Sequence, residues 1–366
     1  MKIICSKENL VAAINTVQKA VATKTTLPVL EGILIEAEDN VKLLATDLEI
    51  GIEYFLEADI VDKGCVIIDS KILGDIARKL PDSEICIESN SENNMVKIEC
   101  EASVFEISGK SASGYPTLPE IERNSAFTIQ ASTLKEIIKQ TIFAVSTDEK
   151  RPILTGSLFD LQNGVLHVVS IDGFRLALKR ETVSNEYGDF SVVVPGKALN
   201  EIVKIIEPSD SEISIYQSYS QVLFDLKRCR IYSRLLEGEF LNYHNIIPKE
   251  FSIDVRVDSK QLLYAIERVS LLTRDDRKYP IRLLVEPDKL SIKTNTDLGS
   301  AREEIAAETS GNELEIGFNP KYLLDSLKVI EEEKICIGFT SNIGPCVIKP
   351  LEGQGFLHMI LPVRLQ

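Results

Sequence analysis

The chain has 366 residues, 44% of them hydrophobic and 27% charged, with a formal net charge of −15 at pH 7. That balance excludes a disordered chain and predicts about two to four globular domains. An acidic total weighs against nucleic acid as a partner, so any such role must come from how the charge is distributed.

The first residues argue against a secretory signal, because Lys7 and Glu8 interrupt the apolar pattern. Leu10, Ala13, Ile14, Val17 and Val21 form one stripe at three-to-four spacing and predict a helix over 7–21. After Leu27-Pro28-Val29-Leu30 come alternating residues such as Val41-Lys42-Leu43-Leu44, a strand with one buried face, and then Ala45-Thr46-Asp47-Leu48. A second helix is expected over 71–80, with Ile72, Leu73, Ile76, Ala77 and Leu80 turned inward and Pro81-Asp82 as its stop. A linker falls near 119–127.

The same succession then starts again. A helical stripe of Leu134, Ile137, Ile138, Thr141 and Ile142 leads through Arg151-Pro152-Ile153-Leu154 to Ser170-Ile171-Asp172-Gly173. A second helix carries Leu199, Ile202, Val203 and Ile206, and a linker lies near 248–251. The third round has Leu262, Leu263, Ile266 and Val269, then Tyr279-Pro280-Ile281, then Asn295-Thr296-Asp297-Leu298, then Tyr322, Leu323, Leu327 and Ile330. Asp47, Asp172 and Asp297 recur every 125 residues, and Lys71, Lys197 and Lys321 open helices at steps of 126 and 124. Two markers with one period establish an internal threefold repeat. The expected fold class is α+β: three tandem similar domains over 1–122, 123–249 and 250–366, each with two helices packed on antiparallel sheet.

Chemistry is sparse. His167, His244 and His358 are the only histidines, and no two share a motif. No phosphate loop, dinucleotide fingerprint, nucleophile elbow or zinc-protease motif occurs. Asp47, Asp172 and Asp297 occupy one turn position in three repeats, so they read as turn residues and not as a carboxylate cluster. No catalytic residue, metal or cofactor is expected. The seven cysteines are scattered and form no C-x-x-C pair, so buried free thiols in a reducing cytoplasm are expected.

Charge is not spread evenly. The segments 6–22, 70–80, 132–145, 196–207, 258–272 and 320–330 carry a net +5, leaving −20 for the rest. If these helices share a face, that face is positive and attracts phosphate, while the exterior repels stray DNA. Candidate DNA-facing residues are Lys24, Arg78, Lys79, Lys139, Arg151, Lys197, Lys204, Arg274, Arg277 and Lys321. No base-reading cluster is visible, so contact would be sequence-independent. An acidic repeat scaffold that binds proteins but not DNA would share the repeat and remains open at this level.

Several segments, in order, resemble the bacterial sliding clamp family, the beta subunit of DNA polymerase III. They are Thr26-Leu27-Pro28-Val29-Leu30, Thr46-Asp47-Leu48-Glu49, Asp172-Gly173-Phe174-Arg175-Leu176-Ala177, Val194-Pro195-Gly196-Lys197, Glu315-Ile316-Gly317-Phe318-Asn319 and Leu361-Pro362-Val363-Arg364-Leu365. The resemblance covers essentially the whole chain. It implies the DNA-clamp fold and a head-to-tail homodimer closed into a ring, with helices lining the hole. Such a ring would encircle duplex DNA and tether the polymerase III alpha subunit, the clamp loader and repair proteins. Twelve helices at ~9 Å spacing leave an opening of about 25 Å, enough for a duplex of roughly 20 Å.

The resemblance also implies a groove for short apolar peptides, formed by Leu154, Ile171, Gly173, Phe174, Arg175, Leu176, Leu241, Asn245, Ile246, Ile343, Pro345, Met359, Leu361, Pro362, Val363 and Arg364. Arg175 and Arg364 are expected at its edges, around aliphatic walls. Phe174 stands where the family's best-studied members have His, Leu241 where they have Pro, Asn245 where they have a basic residue, and Leu361 and Val363 where they have Met. Gln366 is an additional residue. Less flexible walls and an altered peptide preference are expected. Ring closure is implied at Phe105, Ile107, Leu271 and Leu272.

Overall fold

The computed structural model describes residues 1–122, 126–185, 188–209, 211–273 and 279–365. Among them are six α-helices: α1 Lys7–Val17, α2 Ser70–Lys79, α3 Ala131–Ile142, α4 Gly196–Ile205, α5 Ser259–Ser270 and α6 Pro320–Leu327. Several starts are set by side chains that accept the otherwise unpaired N–H groups of the first turn. Ser6 caps α1, and Asp69 Oδ1 accepts from Lys71 and Ile72 at 3.0 and 2.9 Å at the head of α2. Asp258 caps α5, and Asn319 caps α6 ahead of Pro320. Lys71, Lys197 and Lys321 do sit at helix starts, as their period predicts.

The first helix is shorter than 7–21. It ends at Val17 and tightens into a 3₁₀ turn, Gln18–Ala20, a common way to close a last turn. Its stripe of Leu10, Ala13, Ile14 and Val17 is buried as expected. In α2, however, Ile72 is 48% exposed. Leu73, Ala77 and Leu80 fill the inner face, and Ile72 lies around the helix from them, one residue before Leu73. The thiols also differ from expectation. Cys65 is exposed and Cys86 half-buried, while the other five are buried.

The described strands form four antiparallel sheets of five, nine, nine and four strands. One nine-stranded sheet joins strands of the first repeat to strands of the second through Ile50–Leu56 and Cys229–Arg234, in the register Ile231↔Ile52. The other joins the second repeat to the third through Arg175–Thr182 and Phe356–Ile360, in the register Leu176↔Met359. Sheets therefore cross the repeat boundaries. The chain's two compact units follow the sheets and not the repeat: one comprises 1–131, 184–187 and 204–235, the other 132–183, 188–203 and 236–366.

In the first unit, α1 and α2 pack together, and Arg78 reaches Asn15 at 3.2 Å. In the second, Leu262, Ile266 and Val269 of α5 and Leu323 and Leu327 of α6 share a core with Leu290, Ile292 and Ile316 from the four-stranded sheet. Two amphipathic helices thus close one face of a sheet, the packing the repeat pattern predicts.

Candidate functional site

The second unit contains the predicted groove residues. The turn before Arg175–Thr182 is built by Asp172, whose Oδ1 accepts the N–H groups of Phe174 at 2.8 Å and Arg175 at 3.0 Å. Gly173 takes φ 94, a conformation that suits glycine. Asp47 makes the same turn in the first repeat, accepting from Glu49 and Ile50 at 3.0 and 2.9 Å. Both aspartates are turn residues, as their repeat positions predict. One product of the second turn is Phe174, pushed outward and 57% exposed.

The C-terminal segment docks beside it. Leu361 donates its N–H to the Phe174 carbonyl at 2.8 Å, and Val363 donates to the Gly317 carbonyl at 2.9 Å. Gly317 lets this segment approach closely: a Cβ there would lie 2.5 Å from Leu365 Cδ2, so the leucine side chain would have to shift. Beneath lies an apolar cluster that includes Ile171, Leu176, Val347, Met359 and Tyr243. Leu154 is buried too, so Leu154, Ile171, Leu176 and Met359 form floor and support, not open wall. The accessible apolar surface belongs to Phe174, Leu241, Ile246, Ile343, Leu361 and Val363, with Ile343 the most exposed at 79%. Asn245 and Arg364 are exposed, while Pro345 and Pro362 are half-buried. Pro345 precedes Cys346, which pairs with Ile360 at the end of the last strand. Asn245 and Ile246 follow the buried Tyr243.

Arg175 departs from the expectation. It is not an edge residue but is buried, with 8% exposure. Its Nε donates to Asp172 Oδ2 at 2.9 Å, Nη1 to Asp325 Oδ2 at 2.7 Å, and Nη2 to the Phe143 carbonyl at 2.6 Å. The guanidinium also lies 4.7 Å from the Tyr322 ring centroid. Arg175 pairs with Ile360 in a strand whose neighbouring Leu176 is also buried, so its side chain is enclosed, and two carboxylates hold its charge. Phe174 stacks on the same Tyr322, with centroids 6.0 Å apart. Arg175 therefore fixes the groove wall to α6. His358 lies deeper. Burial pushes its pKa down to about 3, so it is neutral at pH 7, with Nε2 3.1 Å from the Gln140 carbonyl.

Among the candidate DNA-facing residues, Lys24, Lys79, Lys139, Lys197, Lys204 and Lys321 are exposed. Arg78 and Arg151 are exposed but paired with Asp75 at 2.9 Å and Asp148 at 3.5 Å, which reduces their local charge. Arg274 and Arg277 lie outside the described residues. Of the ring-closure residues, Phe105 is 40% exposed on Ser103–Ser108, the edge strand of the five-stranded sheet. Ile107 on the same strand is half-buried. Leu271 is 75% exposed just past α5, with Leu272 half-buried beside it. Arg268 ties α5 to Glu303 on the edge strand Gly299–Ala306 of the four-stranded sheet, with both bonds at 2.9 Å. No helix among the described residues is long and apolar enough to cross a membrane.

Sequence reasoning misses Asp325 and Tyr322 as partners of the groove. Asp325 reads as an ordinary solvent-facing helix residue, and no local pattern marks it.

Three domain models of the DNA polymerase III beta subunit match in order: N-terminal over 1–119, central over 128–242 and C-terminal over 244–364. The beta sliding clamp of Halalkalibacterium halodurans is 35% identical over 379 residues, spanning all of both chains. The DNA polymerase sliding clamp of Bacillus subtilis superposes with a TM-score of 0.96 at 34% identity, covering both chains fully. The beta subunit from the DNA polymerase of Streptococcus pyogenes superposes at 0.95 with 30% identity, again over both chains in full.

Proposed function

This chain belongs to the DNA polymerase III beta subunit family, the beta sliding clamps, and from that premise we propose that it is a non-catalytic processivity factor. Two copies, joined head to tail, would encircle double-stranded DNA and hold the replicative polymerase and repair proteins to it. The protein would work in the cytoplasm, without a cofactor, as three clamp domains bounded near 122 and 249.

The observation that carries the ring is the strand inventory. Two sheets have nine strands, and each is assembled from a five-strand set of one repeat and a four-strand set of its neighbour. The first repeat keeps an unmatched five-strand sheet, and the third keeps an unmatched four-strand sheet. In the shared sheets the junction strands are Cys229–Arg234 with Ile50–Leu56, and Phe356–Ile360 with Arg175–Thr182. Their repeat counterparts are the edge strands Ser103–Ser108 and Gly299–Ala306. Pairing those two between copies would make a further nine-stranded sheet of the same build. It would also cover two open edges that would otherwise invite aggregation. Phe105, Ile107, Leu271 and Leu272 lie on or beside that junction. The exposed lysines named above would meet phosphate without reading sequence.

The test is topological. Loaded protein should stay on closed circular DNA through gel filtration and leave after a single linearising cut. Equal retention on both templates would overturn encirclement.

The exposed apolar residues beside Phe174 are proposed to receive the peptide. Leu361→Ala with Ile343→Ala should weaken a fluorescent clamp-binding peptide by roughly 30-fold or more, as truncating buried anchors costs about 2 kcal/mol or more. Dimer mass should not change. Leu176→Ala is a poor test, because emptying a buried leucine site costs about 2–5 kcal/mol of stability by itself. Unchanged peptide affinity in the exposed double variant would remove the groove assignment.

A further inference from the structure

We propose that Asp160, His167 and His244 form a binding site for a divalent transition-metal ion, zinc in the first place. The fold brings together residues from two adjacent strands, Gly156–Gln162 and Val165–Ile171, and from the turn Tyr243–Asn245. One ligand atom from each lies within 4.8 Å of the other two, the single convergence of this kind among the described residues. In a tetrahedral zinc site, ligand atoms about 2.0–2.1 Å from the ion lie roughly 3.3 Å apart. The needed contraction falls to His244, whose side chain is exposed and whose ring packs only against Tyr243, centroids 4.1 Å apart, and edge-on to His167 at 6.1 Å, among the described residues.

Two features favour a cation here. Asp160 is buried, with 6% exposure, yet has no ion pair among the described residues. Its carboxylate is met by neutral donors, the Tyr243 hydroxyl at 3.4 Å and Gln162 Nε2 at 3.1 and 3.2 Å. A buried carboxylate held only by neutral groups is costly, and a bound cation offsets that cost. Tyr243 bridges Asp160 and His167, whose Nδ1 is 2.9 Å from the hydroxyl, an outer-sphere contact of the sort that orients metal-binding imidazoles. Arg180 opposes a cation by its charge, although its Nη1 is engaged by the Gln354 carbonyl at 2.9 Å. Two imidazole nitrogens and one carboxylate favour zinc over magnesium, which prefers an all-oxygen shell.

The experiment uses the untagged full chain with Cys65→Ser, so that the exposed thiol cannot compete. Zinc chloride is titrated against a chromogenic chelator, and cobalt is followed by its visible absorption. One zinc per chain is expected, with no response to magnesium. His244→Ala, at an exposed position, should weaken zinc binding about tenfold or more and remove the cobalt band. His167→Ala should do the same, with folding checked by circular dichroism. Zinc affinity unchanged in His244→Ala, or absence of saturable zinc binding by the parent chain, would overturn the site.

Discussion

Leu271→Arg and Phe105→Arg placed in one chain should leave a folded monomer that no longer stays on circular DNA. Both native side chains are substantially exposed in the single chain, at 75% and 40%, so neither substitution empties a core site. Surface changes of this kind are usually within about 0.5 kcal/mol of neutral for folding. In the proposed dimer, by contrast, each junction would bring the guanidinium introduced at Leu271 of one copy near the one introduced at Phe105 of the other. Like charges desolvated at an interface cost several kcal/mol, which corresponds to a dimer weakened by about a hundredfold or more. Light scattering should give one chain mass where the parent gives two, and retention on circular DNA should drop to the linear level. A double variant that remains dimeric and retained would show that closure uses other surfaces.

Arg175→Ala should be the most damaging single substitution in the groove region. It would leave Asp172 and Asp325 facing each other without the guanidinium that now lies 2.9 and 2.7 Å from them. Removing one partner of a buried ion pair costs about 3–5 kcal/mol, and the lower end applies because Asp325 is 29% exposed and can recover some solvation. The urea midpoint should fall accordingly, and peptide binding should fall with it, because Phe174 loses its support through Tyr322. Adding Asp325→Ala to Arg175→Ala should recover part of the lost stability, since the unpaired carboxylate is then gone. An unfolding free energy within about 1 kcal/mol of the parent would show that Arg175 is not the clasp its contacts describe.

How much of the molecule is legible in its sequence depends on the range of the interactions. The 125-residue repeat is legible because helix stripes and turn aspartates are local features; Asp172 bonds to residues two and three positions onward. The apolar character of the last segment likewise foreshadows the docking of Leu361 and Val363. Arg175 is misread as an edge residue because its decisive partner, Asp325, is 150 positions away. Nothing beside either residue in sequence marks the pairing. The same holds for His167 and His244, which share no motif but meet beside Asp160. Leu154 and Leu176 belong to the groove region, but sequence carries no measure of the depth that separates a floor from a lip. Ile72 reads as inward-facing because a ten-residue helix offers too few turns to locate its stripe sharply.

Sheets that run across the repeat boundaries also limit how the polypeptide can be dissected. Excising the middle repeat at its sequence borders would strip Ile50–Leu56 from Cys229–Arg234 and Phe356–Ile360 from Arg175–Thr182. The excised fragment would carry two raw ladders of unsatisfied amides and carbonyls, a template for fibrils more than an independent module. Domain-swap chimeras between relatives should therefore be spliced so that each hydrogen-bonded strand pair comes from one parent.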